Sequence, residues 1–367
     1  MSASKSRPGD WAGRIALIVA SIVISLALLE VACRLLRSGP EGLVHWPNLA
    51  WNLMKDGGPG ANSCSYVHDD LLGWASPSNC VSPGYNLDAN GFRRVPGSLA
   101  PAGAPVLATG ASFTLGIEVA DGETWPAYLE GELGRPVINA GVGAYSIDQT
   151  VLNTERLAAK LKPAVIIVSF APGDVWRNEL SVAYSRQKPY FDPSGSPGGS
   201  GLALRNVPIA KPASAPPLPP LARLFGWSVL ADEVVERLGI RNGWYYNEVR
   251  ALPLGAGDTV SCRLMSRLAK LGVPVIVMAQ YGLGHWRGDT GYQGQGYQAT
   301  SGVLRCAQEA GLIALDLAPP MKAAIDARGQ SALYRGEHNS PEGNRLVAEL
   351  LASELMRRHL LPKPASP

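Results

Sequence analysis

Two side chains in this sequence have the type and the setting to act as a nucleophile and its base. Ser112 lies in the run Val106-Leu107-Ala108-Thr109-Gly110-Ala111-Ser112-Phe113-Thr114, where an apolar stretch meets Gly and a small residue before an amphipathic segment begins. That pattern predicts a buried strand, a tight turn and the start of a helix. At the carboxyl edge of a parallel sheet, such a turn holds one side chain where ligands bind in open α/β folds. A hydroxyl there is a nucleophile only if a base lies beside it and donors await the oxyanion. The ordinary use of a Ser before a helix is as its cap. Of the five histidines, His45, His68 and His359 suit surface or packing roles, and His285 lies in an interior segment. His338 falls in a loop after the last expected strand and just before Ser340-Pro341, which starts the terminal helix. In a doubly wound sheet that loop shares an edge with the Ser112 turn, as a Ser–His pair requires. A loop histidine that merely touches the helix start is the alternative.

The elements that must position these residues read as alternating strands and helices. Strands are expected at 106–109, 137–139, 165–170, 275–278 and 312–317. Helices are expected at 124–133, 146–161, near 221–238, at 259–271, at 301–310 and from 340 to the end of the domain. Ile147, Val151, Thr154, Ala158 and Leu161 share one helical face. This alternation predicts a parallel sheet covered on both faces, a three-layer α/β/α arrangement. Residues 37–104 read as an irregular lead-in packed on the main domain of 105–360, with short strands around Leu72-Gly73-Trp74 and a turn at Asn90-Gly91. A Gly/Pro-rich insertion is expected at about 181–220, and 361–367 is a tail.

Composition narrows the partners. The net charge is +3 with 17% charged residues, so no strong attraction to nucleic acid is expected. No cofactor motif and no metal-type Cys/His cluster appears. Residues 15–29 and 31–33 form an apolar run interrupted by Glu30, with Lys5, Arg7 and Arg14 before it and Arg34 and Arg37 after, and the anchor is expected at 15–36. This predicts a transmembrane anchor, a cytoplasmic segment 1–14, and a main domain in the periplasm or outside the cell. Cys64, Cys80, Cys262 and Cys306 permit two disulfides, and Cys64–Cys80 with Cys262–Cys306 is the expected pairing; four buried free thiols are the other state.

Four blocks in order resemble those of the SGNH (GDSL-type) hydrolases, in particular their membrane-anchored bacterial branch. They are Gly110-Ala111-Ser112-Phe113-Thr114-Leu115-Gly116 with Glu123-Thr124-Trp125-Pro126, Val137 to Tyr145 with Asp148-Gln149, Phe170-Ala171-Pro172-Gly173-Asp174-Val175, and His338-Asn339-Ser340-Pro341-Glu342-Gly343-Asn344. The resemblance implies a flavodoxin-like sheet and a serine esterase acting on O-acyl groups, acetyl among them, of glycans or lipids. Ser112 would be the nucleophile, His338 the base, and Ser112, Ala144 and Gly173 the oxyanion donors. Trp176, Tyr184, Tyr190 and Trp286 lie in segments that offer stacking surfaces to a sugar. The chain departs from the pattern at Ala111 for Asp, Ala144 for Gly, Gly173 for Asn and Arg335 for the acid three residues before the His. Those departures leave two other readings open: a non-catalytic glycan-binding scaffold on the same fold, or an O-acyltransferase.

Overall fold

The structure is a computed structural model that describes residues 8–44, 46, 49, 64–82, 85–97, 103–195, 201–211, 220–238, 248–286 and 294–361. The chain divides into two units, one of residues 1–55 and 217–246 and the other of 56–216 and 247–367. His45 and most of the 361–367 tail lie outside the described residues.

The larger unit is α/β. Its sheet has five strands, β1 (Val106–Thr109), β2 (Val137–Asn139), β3 (Val165–Phe170), β4 (Val275–Ala279) and β5 (Ile313–Asp316). Their spatial order is 5-4-3-1-2 and every neighbouring pair is parallel. The register sets Leu107 beside Ile138 on one side and Ile166 on the other. Both faces of β1 and β3 are covered, which is why these runs are apolar throughout instead of alternating. Leu107, Ile166, Val168 and Val277 pack toward helices Ile147–Leu161, Ala256–Leu268 and Gln295–Glu309. Val106, Ala108, Ile167, Ile276 and Met278 pack toward Trp125–Leu133, Ala318–Arg328 and Pro341–Arg357. The order reverses direction at β1 and β3, and the crevice beyond their carboxyl ends is the usual ligand site of such a sheet.

Several elements differ in detail from the sequence expectation. Gln295–Glu309 starts six residues before 301, and helix Ala318–Arg328 is additional. Its Pro319 and Pro320 fall in the first turn, where a missing N–H costs nothing. The 181–220 stretch contains strands: Leu180–Ala183 pairs with Arg186–Gln187 and with Val249–Arg250, and Tyr190–Asp192 pairs with Ala203–Arg205. Lys188, fully buried, fastens this hairpin to the main domain. Its Nζ donates to Asp148 at 2.7 Å and to the carbonyls of Leu180 and Pro189. Cys64–Cys80 and Cys262–Cys306 are both bonded, the second joining helices Ala256–Leu268 and Gln295–Glu309.

The smaller unit is organised by helix Pro8–Ser38, of which Trp11–Arg37 is long and apolar enough to cross a membrane. Glu30, the one acid in the apolar run, caps a second helix. Its carboxylate accepts from Ser228 Oγ at 2.7 Å and from the backbone N–H groups of Val229 and Leu230, at the start of helix Val229–Arg237. Arg34 Nε donates to the same carboxylate at 2.7 Å. The segment expected as one helix near 221–238 is two, Pro220–Phe225 and Val229–Arg237, and it belongs with this unit.

Candidate active site

The chain leaves β1 through Gly110, whose φ is +155°. A Cβ at this position would stand 2.4 Å from Thr114 Oγ1 and 2.7 Å from the Ser169 carbonyl, so only glycine permits the turn. Ser112 then becomes the first residue of the short helix Ser112–Leu115, and the cap position falls to Ala111, which has no side chain to offer. The Ser112 hydroxyl is therefore not spent on capping. Its Oγ lies 2.8 Å from His338 Nε2, across a separation of 226 residues.

His338 sits in an antiparallel hairpin, Tyr334–Arg335 against His338–Asn339. The loop after β4 pins that hairpin: the Leu283 N–H donates to the Glu337 carbonyl, and Tyr334 Oη donates to the Tyr281 carbonyl at 3.0 Å. The imidazole is nearly buried and rests against Phe113, ring centroids 4.7 Å apart. Ser340, two residues on, accepts from the Gly343 N–H and starts the terminal helix. The ring's position is thus fixed from both chain directions.

The acid beside His338 is Glu118, which the sequence reading did not single out. Glu118 Oε1 lies 3.3 Å from His338 Nδ1, an ion-pair distance, though off the line of the ring N–H bond. Glu118 Oε2 accepts the His338 backbone N–H at 3.1 Å. Burial pushes the Glu118 carboxyl up. The close approach and charge of the His338 ring, with the backbone N–H groups of His338 and Glu337, outweigh that and hold its pKa below the ordinary value. Two other sites make room for it. Gly336 has φ +58°, and a Cβ there would stand 2.6 Å from Glu118 Oε1. Arg93 braces the loop that carries Glu118, donating to Asp121 at 2.5 Å and to the carbonyls of Leu115, Gly116 and Val119. Arg335, at the position where the resemblance calls for an acid, turns its guanidinium to the Glu118 backbone carbonyl. Glu337 accepts from the Gly284 N–H instead of reaching the ring.

Three candidate oxyanion donors sit on the loops following β1, β2 and β3. As first and second residues of short helices, Ser112 and Gly173 carry backbone N–H groups without partners inside their own helices. Ala144 has φ +67°, the left-handed conformation natural to glycine. The turn is kept despite the methyl group because its neighbours hold it. Val142 N–H donates to the Gly110 carbonyl at 3.0 Å, Trp74 Nε1 to the Gly143 carbonyl at 3.1 Å, and Tyr145 Oη to the Trp74 carbonyl at 2.5 Å. Leu72-Gly73-Trp74 in the lead-in is thus a brace for this turn.

The four aromatic residues proposed for a sugar surface divide. Trp286 is in the packing around the His338 hairpin, with Nε1 donating to Tyr334 Oη at 2.7 Å and its ring among those of Tyr281, His285 and Tyr334. Tyr190 lies in a strand and packs against the core. Trp176 is 46% exposed at the end of helix Pro172–Trp176, and Tyr184 lies next to Arg177.

No family model matches the sequence, and no curated protein matches it. Among solved structures the chain is similar to an α/β hydrolase enzyme from the metagenome of Lake Arreo, Spain, at 14% identity over 70% of this chain and 97% of that one, with a TM-score of 0.42. It is also similar to a catalytic mutant of an acetylxylan esterase from Geobacillus stearothermophilus, at 15% identity, 70% and 95% coverage, and a TM-score of 0.42. A GDSL-like lipase from Parabacteroides merdae matches at 10% identity, 72% and 100% coverage, and a TM-score of 0.42.

Proposed function

We propose that this protein is a membrane-anchored serine esterase of SGNH type, with its α/β unit outside the cytoplasm, that hydrolyses O-acyl esters of cell-surface glycans or lipids. The observation that carries the reading is the 2.8 Å contact of Ser112 Oγ with His338 Nε2, with Glu118 on the far side of the same ring. With Nδ1–H turned toward Glu118, the Nε2 lone pair faces the hydroxyl. Ser112 Oγ attacks the ester carbonyl as its proton passes to Nε2, giving a tetrahedral oxyanion held by the N–H groups of Ser112, Ala144 and Gly173. Collapse expels the alcohol, which takes the proton from Nε2, and leaves an acyl group on Ser112. A water then attacks the acyl carbonyl as its proton passes to the same nitrogen. The acyl–Oγ bond breaks as Ser112 Oγ takes that proton back, freeing the acid. Glu118 stabilises the imidazolium that forms in each half. The helix Trp11–Arg37 supports an anchor, and the two disulfides fit an oxidising compartment.

The test is hydrolysis of p-nitrophenyl acetate and of an O-acetylated glycan by the full chain in detergent, with Ser112→Ala as control. Turnover that is lost in the control is expected. Equal residual rates in both proteins would remove the esterase reading.

A further inference from the structure

We propose that the Arg177 guanidinium is a side-chain donor to the oxyanion, taking the place that a side chain on residue 173 would occupy. The inference rests on the esterase reading and adds a catalytic residue to it. Gly173 has no Cβ, and one built there would stand 2.9 Å from Arg177 Nη1. Arg177 follows Gly173 by about one helical turn, so its side chain folds back over that glycine.

Three contacts hold the guanidinium there. Nη2 donates to the carbonyl of Tyr145, the residue after the proposed donor Ala144, at 3.1 Å. It also pairs with Asp174, whose other oxygen accepts from the Ala171 N–H at 2.8 Å, so the anion is itself fixed to the loop after β3. Nη1 approaches Tyr184 Oη at 3.4 Å. The group therefore bridges the turn after β2 and the loop after β3, the two loops that flank Ser112 on the sheet edge.

A guanidinium has five N–H groups, and these contacts engage three. Nε is buried without a partner among the described residues, and one Nη1–H is left. A buried donor that forgoes a bond in the resting protein is costly. The Nη1–H left over, on the atom beside the point where a side chain of residue 173 would begin, is the proposed donor to the oxyanion of the tetrahedral intermediate. Charge persists at this 17% exposed side chain, because burial works against the cation but Tyr184, Asp174, Glu248 and Asp148 hold its pKa above the ordinary value. The substitution that removes a side-chain donor at 173 is thereby also the one that opens the space for Arg177.

The experiment compares kcat and KM for p-nitrophenyl acetate in wild type, Arg177→Gln, Arg177→Ala and the double variant Gly173→Asn/Arg177→Ala, with melting temperatures for all four. Arg177→Ala is expected to lower kcat by about 10²–10³ with KM changed little, as for loss of one oxyanion donor. Arg177→Gln keeps a neutral N–H but leaves the buried Asp174 without its cation, so it should melt below wild type, with kcat between the two. The double variant should recover kcat at least about tenfold over Arg177→Ala, because an Asn amide re-enters the vacated space. Unchanged kcat in Arg177→Ala and Arg177→Gln, beside turnover abolished by Ser112→Ala, would overturn the inference and leave the esterase intact. A kcat loss tracking lowered melting temperature with no recovery in the double variant would overturn it too. Absence of any Ser112-dependent turnover in wild type would instead remove the esterase reading beneath it.

Discussion

In the proposed esterase, the proton-relay side of the site and its oxyanion side meet at Ser112, yet they solve the same problem with different materials. The relay is made of side chains, Ser112, His338 and Glu118, drawn from two loops and locked by a glycine at 336 and an arginine at 93. The oxyanion side is largely backbone, on turns after three adjacent strands, held by Trp74 and Tyr145. A side-chain relay tolerates a change of address. The acid can come from residue 118 rather than from residue 335, provided a carboxylate reaches the same nitrogen. A backbone donor tolerates a change of residue. Ala144 can stand where glycine is natural, provided the left-handed turn survives. The departures that set this chain apart from the resembling hydrolases therefore differ in weight, and geometry at the site decides more than residue identity at a motif position.

The comparison is broken most severely on the relay side. Glu118→Gln keeps the shape of the acid and removes its charge, and kcat should fall on the order of 10³–10⁴, as when a comparable triad acid is neutralised. A loss under tenfold, measured beside Ser112→Ala, would mean that Glu118 is a bystander. The same variant carries a pH signature. The Glu118 pKa is lowered in the folded protein from its ordinary 4.5, so its contribution to stability is complete above about pH 4.5 and disappears as pH falls through the lower folded value. Melting curves of Glu118→Gln should lose that part of the acid-side decline.

For the backbone donor Ala144 the expected effect is small and falls on stability, not on turnover. Ala144→Gly relieves a left-handed alanine, worth about 1 kcal/mol, against the greater chain entropy of glycine, so a net gain of about 0.5 kcal/mol is expected. Its N–H is unchanged, and kcat should stay within about twofold. A lower melting temperature would show that the alanine methyl contributes packing that outweighs the backbone relief.

The sheet was legible because its strands are uninterrupted apolar runs. Val106–Thr109 and Val165–Phe170 can be nothing but buried, and the segments between them are amphipathic at helical spacing. Ser112 and His338 were legible as residues that follow such runs on one edge. Glu118 was not, because residues 116–123 have no periodicity and hold three acids with equal claim. Their fates depend on contacts that only folding reveals. Asp121 is taken by Arg93, Glu123 accepts from the Ala120 N–H, and Glu118 alone faces the imidazole. Arg93, three residues past the start of the Asn90-Gly91 turn, is buried, and a buried arginine must fasten something. What it fastens is the Glu118 loop. The helix Ala318–Arg328 was not among the expected elements; its paired prolines occupy the one turn of a helix that accepts them.

The central claim is that Ser112 is an activated nucleophile, and covalent capture tests it most directly. Full-length protein treated with a fluorophosphonate and digested for mass spectrometry should carry one adduct, on the peptide containing Ser112, and His338→Ala should lose it while remaining folded. No adduct on Ser112 in the folded wild-type protein, or an equal yield in the His338 variant, would contradict the account.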